Sequence, residues 1–249
     1  MVQVACGIDI GGSGVKGALV DLETGEYIGD QIRIPTPNPA TPEAVATVCR
    51  EVIDQLDVKI GVPIGVTFPA PVFNGVIPYM ATLDQSWVNV DVDALMERHL
   101  GRAVVALNDA DAAGIAEVAY GAAKGRGGVI VFTTQGTGIG SAIIVNGTLL
   151  TNTELGHLEI DGTDAEKNAS SGQKTLQGLS WEQWAQRLQR YYSHVEFLLN
   201  PDLFVVGGGV SENHEKFMPL LKLKTPMIPA KLLNTAGIVG AAYYAAQNS

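Results

Sequence analysis

Cysteine is nearly absent: Cys6 and Cys49 are the only two in 249 residues. Two thiols make neither a disulfide framework nor a Cys-based zinc site. Cys6 sits in the apolar run Val2–Ile10 and Cys49 in a predicted helix, so both are expected to be small core residues rather than reactive thiols. Cations are scarce as well, with 16 Lys+Arg against 26 Asp+Glu and a formal net charge of −10. Proteins that bind nucleic acid or an anionic membrane surface neutralise phosphates with many basic side chains, so this balance disfavours both partners. No run of about 18 apolar residues occurs, so no helix is expected to span a membrane. Met1-Val2-Gln3-Val4 carries neither a basic n-region nor a long apolar h-region, and the expected location is the reducing cytoplasm.

Glycine, by contrast, is abundant at 29 residues, and 46% of the chain is hydrophobic. That is enough apolar sequence for one large domain or two lobes with separate cores. The glycines imply backbone at positive φ or in close approach to something.

Periodicity and punctuation divide the chain into elements. Val2–Ile10, Val15–Asp21 and Glu26–Ile34 read as strands, the first two joined by Gly11-Gly12-Ser13-Gly14. Thr41-Pro42-Glu43 reads as a helix start, with Val45, Val48, Val52, Ile53 and Leu56 on the apolar face. A strand is expected over Ile60–Phe68, a short helix over Asp91–Leu100, a strand over Val104–Leu107 and an alanine-rich helix over Asp109–Tyr120. Val129–Thr134 and Ile139–Val145 read as two further strands, followed by the hairpin signal Asn146-Gly147. Ser180-Trp181-Glu182-Gln183 is a capping box opening a helix with Trp181, Trp184, Leu188, Tyr192, Val195 and Leu199 inward. Leu203–Val206 is a strand running into Gly207-Gly208-Gly209 and a helix, and Asn234–Gln247 is a final small-residue helix. Gly162–Gly178 is polar and reads as a mobile surface excursion.

One hairpin occurs twice. Gly12-Ser13-Gly14-Val15 and Gly136-Thr137-Gly138-Ile139 each join two strands, at a constant offset (136 − 12 = 139 − 15 = 124). Two related lobes facing each other would place two Gly-rich turns across a shared cleft.

Four segments carry chemistry. Asp9-Ile10-Gly11-Gly12-Ser13-Gly14-Val15-Lys16 joins a strand-end carboxylate to a turn whose N–H groups can form an anion nest. The carboxylate could hold Mg²⁺ through water. The turn joins strand to strand, so it is neither a Walker loop nor a Rossmann fingerprint. By itself it fits an ordinary tight hairpin equally well; its echo at Gly136–Gly140 favours phosphate binding. Asn108-Asp109-Ala110-Asp111 follows a strand and opens a helix, where only one cap is needed. An Asp there could accept a hydroxyl proton as general base. Glu154, His157 and Glu159 fall within six positions and could bind a ring of sugar hydroxyls. A metal pair at His157 and Glu159 is set aside for want of further Cys or His ligands nearby. Gly208 and Gly209, between strand and helix, would let a phosphate or base pack on bare backbone.

Together these segments resemble the ROK sugar kinases of the hexokinase–actin superfamily, closest to the polyphosphate glucokinase branch. Asp9–Lys16 looks like the first phosphate motif and Gly136–Ser141 like the second. Asn108–Gly114 looks like the sugar and catalytic-base segment. Glu154–Gly162, Asp164–Lys167 and Asp84–Trp87 are closest to the polyphosphate branch, and Gly207–Ser211 and Ala236–Ala242 complete the match. The resemblance spans about Cys6 to Ala246. Departures from the pattern fall at Gln85, Gln135, Asn168 and Thr235, and the cations missing at Gln85 and around Asn168 would weaken a track for a long polyanion.

The resemblance implies an α/β, two-lobed hexokinase/actin-like (ribonuclease H-like) fold with a central cleft. A small lobe of residues 1–107 plus 236–249 and a large lobe of 108–235 are expected. It implies phosphoryl transfer from polyphosphate and/or ATP to the 6-hydroxyl of glucose, with Asp109 as base. Asn108, Glu154, His157 and Glu159 would bind the sugar. Asp9, Gly11, Gly12, Ser13, Gly14, Lys16, Gly136, Thr137, Gly138, Gly208 and Gly209 would serve the donor, with Mg²⁺ on Asp9 and no zinc. A homodimer is implied too. Alternatives are a kinase for mannose or an N-acetylhexosamine, and a non-catalytic sugar sensor.

Overall fold

Strands Val4–Ile10 (β1) and Val15–Asp21 (β2) pair antiparallel in the register Ile10↔Val15, with the turn closed by the Gly11 N–H on the Gly14 carbonyl at 3.1 Å. These contacts come from a computed structural model that describes residues 3–248. Val2, placed in the first strand by the sequence, lies outside the described residues.

Tyr27–Ile34 (β3) continues the meander, and helix Pro42–Gln55 (α1) starts where Thr41-Pro42 predicts, although the Thr41 hydroxyl makes no capping bond. Its buried face of Val45, Ala46, Val48, Cys49, Val52 and Ile53 packs on β2 and β3. Burial of each such aliphatic side chain contributes roughly 1.5–3 kcal/mol. The next strand, Ile64–Phe68 (β4), begins later than expected: Gly61 turns the chain at φ +88° and leaves Ile60 exposed. Helix Val92–Leu100 (α2) is capped by Asp91, strand Val105–Asn108 (β5) follows, and Asp109–Ala119 (α3) starts without an intervening loop. The sheet order is β3-β2-β1-β4-β5, with β1, β4 and β5 mutually parallel.

The same plan recurs. Val129–Gln135 (β6) and Ile139–Val145 (β7) form a hairpin, and Asn146-Gly147, both at positive φ, turns the chain into Thr148–Leu150 (β8). Asp161-Gly162, at φ 55° and 75°, reverses Glu159–Ile160 (β9) into Thr163–Asp164 (β10). Then come short helices Glu166–Ala169 (α4) and Ser171–Leu176 (α5). The stretch expected as a mobile excursion is therefore ordered secondary structure, held by buried Ala165, Ala169 and Ser170. Helix Trp181–Leu199 (α6) opens on the full Ser180/Gln183 capping box and buries Trp184, Leu188, Tyr192 and Val195 as its spacing requires, with Tyr191 beside them. Leu203–Gly207 (β11) and Met227–Pro229 (β12) complete the second sheet. Between them Gly209–Lys216 is a 3₁₀ segment broken at Asn213, where a regular helix was expected.

The second sheet runs β12-β11-β6-β7-β8. Read from its other edge it matches the first: an antiparallel meander of three strands, then two strands parallel to the hairpin's first. The registers refine the repeat. Ile10↔Val15 corresponds to Gln135↔Ile139, so the second turn is one residue shorter and Asp9 has Thr134 as its counterpart.

The chain divides into two units, Met1–Ala116 with Thr235–Ser249, and Glu117–Asn234. The first boundary falls after Ala116 rather than after residue 107, because β5 is hydrogen-bonded to β4 and α3 runs on directly from it. Helix Ala236–Asn248 (α7) returns to the first unit and packs on β1 and β4. The contact is backbone to backbone. A Cβ on Gly7 of β1 would lie 2.7 Å from the Ile238 carbonyl carbon, and one on Gly65 of β4 would lie 3.0 Å from the Ala241 Cα. Among the described residues no helix is long and apolar enough to cross a membrane.

Candidate functional site

In the first unit the candidate residues collect at strand ends. Asp9, next to last in β1, is gripped from both neighbouring strands: Thr67 Oγ1 of β4 donates to Oδ1 at 2.8 Å, and Lys16 Nζ of β2 lies 3.5 Å from Oδ2. The Gly11–Gly14 turn follows immediately. Its Gly11 carbonyl accepts from Thr36 Oγ1 at 2.5 Å, while Gly12 and Ser13 are exposed and their N–H groups make no hydrogen bond among the described residues. A cavity of about 360 Å³ adjoins the turn, lined by Gly12, Thr36, Asn38, Pro39, Thr82 and Asp84 among others.

Asn108 ends β5, and its Oδ1 accepts from the N–H groups of Ala110 (2.9 Å) and Asp111 (3.1 Å). That buried amide caps α3 and so fixes where the helix begins. The cap places Asp109 on the first turn with its side chain exposed, while Asp111 is fully buried. Of the three polar residues crowded here, Asn108 supplies the cap, and exposed Asp109 also accepts the Ala110 N–H through its Oδ1 at 2.7 Å.

In the second unit the Gly136–Gly138 turn is closed by the Gly136 N–H on the Gly138 carbonyl at 3.0 Å, and the N–H groups of Thr137 and Gly138 make no hydrogen bond among the described residues. Gly208, at φ +82°, lies against Gln135: a Cβ there would be 2.7 Å from the Gln135 nitrogen. The two Gly-rich turns of this unit are thus adjacent, and Gly209 begins the 3₁₀ segment beyond. The Gly136 carbonyl accepts both the Gly172 N–H (2.8 Å) and Ser171 Oγ (3.0 Å), so the start of α5 is docked on the turn.

Glu154, His157 and Glu159 lie on one short stretch, half-buried, exposed and exposed respectively. Two residues of the Asp164–Lys167 segment, to which sequence pattern assigned no role at the site, join them. Asp164 Oδ2 is 2.9 Å from His157 Nδ1, and its other oxygen accepts the Glu166 N–H at 3.1 Å. Glu166 Oε2 accepts the Ile139 N–H at 3.1 Å, beside Gly138. The hydrogen bond and charge of Asp164 raise the His157 pKa, with Glu166 and Glu154 acting in the same direction. Burial pushes Asp164 upward, but His157 and the N–H groups of Lys167 and Glu166 more than offset it and hold that carboxyl low. One ligating atom each from His157, Asp164 and Glu166 fall within 4.8 Å of one another, so His157 has metal-capable neighbours that its sequence surroundings did not reveal. The signal for this cluster was the Asp161-Gly162 turn, which folds Asp164 back opposite Glu159. The signal for α5 was Ser170-x-x-Gln173, whose Ser170 side chain accepts the Gln173 N–H.

Gln85 and Gln135 are built into the fold by their side chains, and Asn168 contributes its backbone carbonyl. Gln85 Nε2 donates to the Met80 carbonyl, Gln135 is buried and reaches Tyr192 Oη at 3.4 Å, and the Asn168 carbonyl accepts from Arg187.

A five-stranded sheet repeated with the same strand order, each copy carrying a Gly-rich turn on its central hairpin, is the actin-like architecture of the hexokinases. The chain belongs to the ROK family, whose model matches residues 5–178. It is 49% identical over 237 residues to the polyphosphate glucokinase of Mycobacterium tuberculosis (strain CDC 1551 / Oshkosh), covering 95% of this chain and 89% of that one. The inorganic polyphosphate/ATP-glucomannokinase of Arthrobacter sp. strain KM superposes with a TM-score of 0.92 at 51% identity, covering 99% of this chain and 100% of that one. A ROK family glucokinase from Streptomyces griseus shares the fold, with a TM-score of 0.80 at 22% identity over 98% and 99% of the two chains.

Proposed function

We propose that this chain is a sugar kinase that transfers a phosphoryl group from polyphosphate and/or ATP to the 6-hydroxyl of glucose, with Asp109 as general base. The observation that carries the reading is an exposed carboxylate fixed at a strand end by the Asn108 cap, in a chain that also presents two Gly-rich turns with unpaired N–H groups. The Mycobacterium and Arthrobacter relatives, named for polyphosphate and for glucose, support the donor and acceptor.

Each residue has a role in this reading. Asp109 accepts the hydroxyl proton as the oxygen attacks phosphorus. Asn108, Glu154, His157 and Glu159 bind the remaining sugar hydroxyls. The N–H groups of Gly12, Ser13, Thr137 and Gly138 bind donor phosphate oxygens. Gly11, Gly14, Gly136, Gly208 and Gly209 keep the backbone approachable, and Lys16 adds a positive charge. Phosphoryl transfer depends mainly on such positioning and charge stabilisation.

Asp9 fits Mg²⁺ held through water: its carboxylate is partly exposed, its Oδ1 is fixed by Thr67, and its contact with Lys16 is loose at 3.5 Å. The ion would neutralise charge on the donor phosphates. Zinc has no part in the proposal. The family resemblance extends it to a cytoplasmic homodimer, which sedimentation of the purified chain tests.

The deciding experiment supplies glucose and Mg²⁺ with polyphosphate or ATP separately and measures glucose 6-phosphate. Product with at least one donor is expected; none with either overturns the reading. A second acceptor, mannose, is favoured by the Arthrobacter relative, a glucomannokinase, and the same assay with mannose tests it.

A further inference from the structure

A hydrogen bond to one ring nitrogen of a histidine decides what the other nitrogen can do. A neutral imidazole carries one proton, so a partner that accepts at Nδ1 leaves Nε2 as an acceptor. His157 has such a partner. Asp164 Oδ2 lies 2.9 Å from Nδ1, on a side chain 25% exposed, whereas the His157 side chain is 47% exposed. The carboxylate is itself held. Its residue pairs with Glu159 across the β9–β10 hairpin, and its second oxygen takes the Glu166 N–H at the start of α4. Glu166 in turn accepts the Ile139 N–H just past the second Gly-rich turn. One short stretch, Asp164–Glu166, therefore secures the sugar-side histidine and the donor-side turn together.

We propose that Asp164 is a positioning residue for the sugar site, locking His157 as its Nδ1–H tautomer so that Nε2 accepts a hydrogen bond from a sugar hydroxyl. The inference rests on the kinase reading above. Asp164 touches no substrate; it acts through His157. The metal-like grouping of His157, Asp164 and Glu166 is accounted for by these hydrogen bonds without an ion.

Nitrogen NMR of the full chain reads the tautomer directly, with His157→Ala identifying the signal among the four histidines. In wild-type protein without sugar, His157 carries its proton on Nδ1. Asp164→Ala loses that preference and raises KM for glucose about tenfold while kcat stays within about twofold, because a lost ground-state contact acts on KM. Asp164→Asn, whose side-chain carbonyl still accepts from Nδ1, restores both the tautomer and most of the affinity. In a His157→Ala background the Asp164→Ala penalty disappears, since the carboxylate has nothing left to orient.

The proposal is overturned if wild-type His157 is protonated on Nε2, a result that does not require any variant to fold. It is overturned if Asp164→Ala raises KM equally in the His157→Ala background, which would make the role merely structural. It is also overturned if a chelator added to wild-type protein shifts the His157 signals, since a bound metal would then orient the ring. Failure of the kinase reading shows up separately, as no phosphorylated glucose with either donor while the tautomer still reads as Nδ1–H.

Discussion

The Thr67 hydroxyl donates to Asp9 Oδ1 at 2.8 Å, and the two residues are register partners on the parallel strands β1 and β4. Lys16, the register partner of Asp9 on β2, faces its other oxygen. Three adjacent strands therefore aim one carboxylate before the Gly11–Gly14 turn begins. Removing a hydrogen bond to a charged group costs roughly 1.5–3 kcal/mol. Thr67→Val, which preserves shape, is expected to lower kcat by about one power of ten or somewhat more and to raise the Mg²⁺ concentration needed for half-maximal rate. Asp9→Asn should do both more strongly. Steady-state rates at several Mg²⁺ concentrations check this; an unchanged Mg²⁺ dependence in both variants would remove Asp9 from the donor site.

Asp109 and Asn108 are neighbours with separable jobs. Asp109→Asn keeps size and hydrogen bonding but cannot take a proton, so kcat is expected to fall by about 10²–10⁴, the usual contribution of a general base. Stability should move little, because the amide oxygen of Asn can still accept the Ala110 N–H that Asp109 Oδ1 takes at 2.7 Å. Asn108→Ala removes the α3 cap and should cost about 1 kcal/mol of stability; under the proposed function it also loses a sugar contact. Denaturation curves and kcat measured on both variants separate the roles. A wild-type rate in Asp109→Asn would sink the catalytic assignment.

Gly208 is constrained twice, by φ +82° and by its approach to the Gln135 backbone. Alanine at that position would have to shift β6, the central strand of the second sheet, or its neighbour β11. Gly208→Ala should therefore destabilise by about 2–4 kcal/mol and lower activity with either donor, since the displaced strand carries the Gly136 turn. Chemical denaturation together with the kinase assay tests this; a change within about 0.5 kcal/mol would contradict the packing.

Sequence pattern located what depends on local chemistry. Val15–Asp21 and Ile139–Val145 match their strands end to end, and the Ser180 capping box and Asn146-Gly147 turn are both present. The doubled hairpin was legible because both copies keep their glycines, and it pointed to two related lobes. What escaped was polar structure held by long-range contacts. Residues 162–178 have little apolar periodicity, so their helices left no amphipathic signal. They form because Trp184 Nε1 bonds the Ala169 carbonyl and Gly172 docks on Gly136. Asp164 was therefore invisible as a partner of His157, although Asp161-Gly162 announced the turn that brings it there. Ile60 misled for the opposite reason, an apolar residue next to a glycine that ends the run.

The His157–Asp164 pair gives stability a definite pH window. The His157 pKa is raised in the folded chain, so its contribution is complete below the ordinary histidine value of about 6.5 and is lost as pH rises through the folded value. The Asp164 pKa is lowered, so its contribution is complete above the ordinary carboxylate range and is lost as pH falls through the folded value. The pair is therefore most stabilising between about pH 5 and 6.5. The His157 side chain is 47% exposed and Asp164 is half-buried, so solvent screening keeps the effect below about 1 kcal/mol. Wild-type and Asp164→Asn proteins unfolded at pH 5.5 and pH 8.5 should differ more at the lower pH. An equal difference at both would mean the imidazole carries no charge in the pair.

Cys6 and Cys49 belong to the core of the first unit, Cys6 in β1 and Cys49 on the inner face of α1. Burial pushes each thiol up to about 12, far from the thiolate that reacts with alkylating agents or disulfides. In the folded chain at pH 8 neither thiol should react with an aromatic disulfide reagent over an hour, whereas both should react at once in strong denaturant. Oxidants that act on thiolates should likewise leave the kinase activity unchanged. Mass spectrometry after alkylation counts the modified sites. One rapid equivalent in the native protein would show that β1 and α1 open locally, loosening the strand that carries Asp9.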